Sequence, residues 1–142
     1  GERAVRELRD HGDVVAPLPS DLRVLRSIPA VAWLNVAHLC GRRIHFDLAR
    51  ELPVHAVSWS VHQAGNPGLA EGRERSGRAV MGGLDQNGAL VTGPPEAVAA
   101  EAVAAIGATE GRGVLIAPGC SVPPEAPDDH MAVAATAVRD YT

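Results

Sequence analysis

Strand-like and helix-like segments alternate along this chain, which predicts an α/β fold with parallel strands and helices packed outside them. Two observations carry the expectation. Apolar, β-prone runs recur at 31–40, 54–59, 78–84 and 114–117. A helical pattern follows each of them. Successive strands are therefore joined through helices, and right-handed crossovers in a parallel sheet are the expected solution. Four such units make half of a (β/α)8 TIM-type barrel. A doubly wound sheet competes, but no GxGxxG follows the first strand, and Gly82-Gly83 is only a pair.

The elements read in order as follows. Residues 3–11 read as the end of a helix, with Val5 and Leu8 on one face and Gly12 as the stop. Ser20 or Asp21 caps a short helix through Ser27, which Pro29 ends. The run 31–40 suits a strand buried on both faces. Phe46, Ala49 and Leu52 stand at helical spacing across 44–51. A short strand at 54–59 precedes a weak helix at 68–76, interrupted by Gly72, and the next strand is expected at 78–84. Pro94-Pro95-Glu96 opens a helix with stripe Val98, Ala102, Val103 and Ile106, which Gly107 stops. After a strand at 114–117, Pro127-Asp128-Asp129 opens a last helix whose Met131, Ala134, Ala135 and Val138 share a face.

The chain of 142 residues fits one domain with a real core. Hydrophobic residues make up 46% and charged residues 21%, the balance of a soluble globular protein. Aromatics are sparse at 3%, so the core is expected to pack through many small aliphatic contacts. The net charge of −4 offers no clustered basic face, so neither nucleic acid nor anionic membrane is an expected partner. The longest apolar stretches, 31–39 and 97–106, fall short of the roughly 20 residues a bilayer span needs. The sequence opens without Met or an evident secretory leader, as a trimmed chain would, and the default compartment is the cytoplasm.

Active sites of parallel α/β folds form at the carboxyl ends of the strands. Those ends hold His38, Cys40, Trp59, Ser60, Leu84, Asp85, Gly119 and Cys120, which include both cysteines of the chain. His38 and Cys40 are two apart on a strand and so share a face. One imidazole and two thiolates make a ligand set for Zn²⁺ with a fourth position open. Two thiolates balance the ion's charge, and an incoming thiol would stay ionised yet electron-rich, which suits attack on a methyl group. Two other accounts stand beside this one: cysteines buried as small hydrophobes, or a Cys40–Cys120 disulfide, which a cytoplasmic compartment disfavours.

Asp85, after Gly82-Gly83-Leu84, is a candidate for substrate binding or proton transfer, or else a loop cap. Arg42 and Arg43 follow Gly41 on the active face, able to grip a carboxylate or simply solvated. Trp59 and Ser60 are candidate substrate contacts. His45, His55 and His62 read as surface or strand-start residues.

These segments also carry a resemblance. GRGVLIAPGCSVPPEAP at 111–127 followed by DDHMAVAATAVRDY, GGLDQNG at 82–88 followed by GPPEAVAAE at 93–101, and HLCG at 38–41 before VHAVSWS at 54–60 resemble, in order and spacing, the C-terminal half of the uroporphyrinogen decarboxylase superfamily. The resemblance covers the chain from about residue 30 onward. It implies a single partial domain over 1–142, half of a barrel, which needs its missing N-terminal half-barrel or a homodimer partner. It also implies one of two chemistries. The first is a decarboxylase of tetrapyrroles, a lyase of porphyrin biosynthesis that needs neither metal nor cofactor. The second is a zinc methyltransferase like those acting between methylcobalamin and coenzyme M, with a His-x-Cys on one strand and a distant Cys. His38, Cys40 and Cys120 match the second pattern, which implies a thiol acceptor and a corrinoid protein or similar donor. A non-catalytic half-barrel serving as a binding module is the third reading. The family often carries an acid near Ser58 or Ser60, so a substrate contact there departs from its pattern.

Overall fold

The computed structural model describes residues 19–141, so the helix end expected at 3–11 lies outside the described residues. Its elements are α1 (Pro19–Arg26), β1 (Val36–His38), a 3₁₀ turn (Phe46–Arg50), β2 (Ala56–Ser58), α2 (Leu69–Ser76), β3 (Ala79–Leu84), α3 (Ala89–Thr92), α4 (Pro95–Ala108), β4 (Val114–Pro118) and α5 (Asp128–Arg139). The four strands lie in chain order, β1-β2-β3-β4, and every pairing is parallel. Parallel neighbours cannot be joined by tight hairpins, and each connection duly carries a helix or the 3₁₀ turn. All four carboxyl ends consequently open on one side.

Several local expectations change. The apolar run 31–40 yields only a three-residue strand with an exposed–intermediate–exposed pattern, and Val31 and Trp33 are 89% and 88% exposed. This strand is an edge with one neighbour among the described residues, so the burial its composition suggested has only one side to come from. Residues 46–50 form a 3₁₀ turn in place of an α-helix, although Phe46, Ala49 and Leu52 are buried as their spacing implied. On α4 the buried face is Val98, Ala102, Ala105 and Ile106, while Val103 is exposed. Gly107 lies inside that helix, which ends at Ala108; past the Thr109 cap, Glu110 turns left-handed at a φ of 54°, and Gly111 N–H donates back to Ile106 O at 2.9 Å. On α5 the buried face turns to His130 and Ala134, leaving Met131 and Val138 exposed, because the helix docks on α4. The four-residue α3 is too short to show a periodic pattern.

The core beneath the sheet is built on Trp59, fully buried at the end of β2. Its ring meets Phe46 edge-on, with centroids 4.6 Å apart and planes at 68°. That geometry contributes about 0.5–1.5 kcal/mol beyond area burial. Its Nε1–H donates to the Pro67 carbonyl at 2.8 Å, so the one polar atom of the indole is satisfied. Val57, Leu69, Val80 and Ala105 close around the pair. Gly72, expected to weaken α2, is instead the residue that lets the helix rest on the indole. A Cβ there would stand 2.3 Å from the ring carbon Cη2 and 3.0 Å from Phe46 Cζ. Alanine at this place would gain about 1 kcal/mol of helix propensity. It would also force the buried rings apart, at about 1–3 kcal/mol. The second effect prevails because neither ring has room to swing. Gly72→Ala should therefore lower unfolding stability, by up to about 2 kcal/mol in a denaturant titration.

Candidate metal centre

Strand geometry brings the three sequence-predicted ligands together. Beyond β1 the ladder continues, with Leu39 N–H donating to Ser58 O at 2.8 Å, and this carries Cys40 onto the face of His38. Beyond β4, Gly119 N–H donates to Leu84 O at 3.0 Å and delivers Cys120 to the same edge. The ligand atoms of His38, Cys40 and Cys120 all lie within 4.8 Å of one another. Cys40 Sγ and Cys120 Sγ are 3.9 Å apart. Two sulfurs at tetrahedral angles about a zinc ion, each about 2.3 Å from it, would be about 3.8 Å apart. A disulfide needs about 2.05 Å, and both cysteines are free thiols. Nor are they buried hydrophobes: Cys40 is exposed and Cys120 half-buried. Donor types and spacing fit a tetrahedral ion with one position left for another ligand.

An open cavity of about 440 Å³ adjoins the three ligands. Its lining includes Arg42, Ser60, Gln63, Gln86, Asn87 and Ser121, and no carboxylate. Ser60 and Gln86 are 5% and 4% exposed, and the Ser60 hydroxyl donates to Gln86 Oε1 at 3.3 Å. Arg42 is exposed and forms no ion pair among the described residues. Gly119 packs flat on Ser60; a Cβ there would come within 2.6 Å of Ser60 Cα. The end of β4 thus reaches across to the end of β2, and only a residue without a side chain allows it.

Two sequence candidates fall away from this cavity. Trp59, expected to contact substrate, points into the core and is fully buried, because its indole is the centre of the packing on the helix side. Asp85, expected near the chemistry, does not line the cavity. Its carboxylate accepts from Asn87 N–H at 3.0 Å, closing the turn into α3, while its own N–H donates to Glu101 at 2.8 Å. Gly83 beside it admits Ala105 of α4, with only 2.6 Å for a Cβ, and not a ligand. His55 and His62, read as surface or strand-start residues, are engaged: Asn35 N–H donates to His55 Nδ1 at 3.0 Å, and His62 Nε2 meets Gly83 O at 2.9 Å. Gln86 and Asn87 were missed. Their signal was available, since they directly follow Asp85 at the end of the third strand.

Four parallel strands in chain order, with helices outside and a His-Cys-Cys cluster at their carboxyl ends, have the topology of part of a TIM-type barrel. The chain belongs to the uroporphyrinogen decarboxylase (URO-D) family, whose model matches residues 18–141. Among solved structures it is similar to a methyltransferase from Methanosarcina mazei, with a TM-score of 0.66 and 23% identity over 78% of this chain. The chain spans about a third of that protein, 32% of its length. At that identity the likeness concerns the fold. No curated protein sequence matches the chain.

The neighbouring Cys120 holds the Cys40 thiol above the ordinary thiol range, first through their hydrogen bond, then through its charge, with burial adding a little. A raised value means less thiolate at a given pH and slower alkylation. In metal-free, reduced protein, iodoacetamide modification of Cys40 should climb only at pH values above those of a free thiol. Cys120→Ala should move the profile down in pH; a profile unchanged by that substitution would show that the thiols do not interact.

Proposed function

We propose that this chain forms part of a zinc-dependent enzyme that moves a methyl group from a corrinoid or similar donor to a thiol. The observation that carries the reading is the convergence of His38, Cys40 and Cys120, within 4.8 Å, on an open cavity at the strand ends. The methyltransferase name of the similar M. mazei structure supports it. When bound, zinc would supply the positive charge that keeps a thiol's sulfur ionised and nucleophilic at neutral pH. The chain's own residues do the rest. Cys40 and Cys120, as thiolates, balance a divalent charge, and His38 adds a neutral donor. Ser60 and Gln86 form a rigid polar floor, buried and mutually bonded, against which an acceptor is oriented. Arg42 at the rim offers a fork to an anionic group of the incoming molecule.

The family's name supports a second reading, a uroporphyrinogen decarboxylase-type lyase acting on a tetrapyrrole without a metal, in which His38 and Cys120 merely line the pocket. In either case β1 and β4 have one partner strand each among the described residues, and the cavity is open on one side. Turnover therefore calls for a further half-barrel, from the same polypeptide or a second copy, to complete the wall. The setting we propose is the cytoplasm; among the described residues no helix is long and apolar enough to cross a membrane.

Elemental analysis of the reduced, purified full-length protein tests the reading. One zinc per chain is expected. His38→Ala, Cys40→Ala and Cys120→Ala should each weaken binding by more than the roughly 10–100-fold that an outer-shell partner contributes. Affinity should fall as pH is lowered, because both thiols must shed protons to bind. Zinc near zero, with turnover of uroporphyrinogen III, would select the lyase instead.

A further inference from the structure

We infer that Ser58 is a positioning residue for His38, fixing which ring nitrogen is free to meet the metal. The inference rests on the metal reading above but on a different observation. Ser58 lies on β2, paired in register with His38 on β1, so the two side chains leave the sheet side by side on one face. Ser58 Oγ is 3.3 Å from His38 Nδ1, near the long limit for such a bond. The serine is only 7% exposed, and this is its sole side-chain hydrogen bond among the described residues. Its register partner on the other side is Met81, which offers no comparable polar group. Ser58 does not line the cavity, so it has no substrate to contact.

A buried hydroxyl in a short strand, facing one imidazole nitrogen, needs a reason to be there, because an apolar residue would pack as well. The chemistry of imidazole provides one. A neutral ring has one N–H and one lone pair, and the partner of the first decides where the second points. With Nδ1–H donating to Ser58 Oγ, the lone pair rests on Nε2, and the ring plane is held against rotation. Metal-ligating histidines gain orientation and basicity from such a partner. Here a serine hydroxyl fills the place that a carboxylate or carbonyl often takes.

The test uses the reduced full-length protein and zinc, with affinity read by competition against a chromophoric chelator. Ser58→Ala should weaken zinc binding about 10–100-fold. Ser58→Thr, which retains the hydroxyl, should return it to within a few-fold of the parent. The visible absorption of the cobalt-substituted protein should change in the alanine variant and return in the threonine variant, a signature that loss of packing alone does not produce. Long-range ¹⁵N–¹H spectra of the zinc-loaded parent should show His38 protonated on Nδ1, a result independent of how the variants fold. Unchanged affinity in Ser58→Ala, failure of threonine to rescue, or a proton on Nε2 would overturn the inference. A parent protein that binds no zinc would overturn the metal reading itself, and the two failures are thus distinguishable.

Discussion

Curvature of the sheet is the constraint on which the site depends. β1 and β4 are the outermost of four strands, and in a flat sheet their axes would stand about 14 Å apart. The cysteines just beyond their ends instead bring sulfur to within 3.9 Å of sulfur. Right-handed twist and in-order parallel pairing curl the sheet in that direction, and side chains on its concave side converge. The close approaches that allow it are visible: β4's Gly119 lies on β2's Ser60, and Gly83 on Ala105 of α4. The core below tolerates the curl because it is filled largely by Ala, Val and Leu, with the Trp59–Phe46 pair as its one bulky anchor.

Electrostatics gives the cluster its direction. Contact with Cys120 disfavours ionisation of the Cys40 thiol, first through their hydrogen bond and then through charge. No carboxylate lines the adjoining cavity, whose polar wall is made of amides, hydroxyls and one guanidinium. A divalent cation reverses this balance: thiolates that repel when alone become its ligands, and their combined charge cancels. The wall then faces a centre of no net charge with Arg42 nearby, an environment suited to an approaching anion.

Much of this was legible in the residues, for reasons that can be named. The strand–helix alternation sets topology through connection chemistry alone, so the parallel sheet and its functional edge follow without knowledge of packing. His38 and Cys40 share a face by the two-residue period of a strand, and Cys120 stands out as the only other thiol. The resemblance in HLCG and APGCS pointed to the same three residues. What was not legible depended on neighbours. Trp59 sits at a strand end, yet alternation turns it toward the helices, and Asp85 satisfies its own turn before it can reach a ligand. The apolar run at 31–40 reads as a central strand, but its place at the edge is decided by strand order and not by composition. The faces of α4 and α5 are rotated from those expected because Ala-rich helices present several nearly equivalent stripes, and docking selects one.

The central claim is that one imidazole and two distant thiolates share an ion. X-ray absorption at the zinc edge of reduced, purified protein tests it most directly. The account predicts two sulfur neighbours at about 2.3 Å and a nitrogen at about 2.0–2.1 Å, with one sulfur lost in Cys120→Ala. A shell of nitrogen and oxygen alone, or the same sulfur count with and without Cys120, would contradict it.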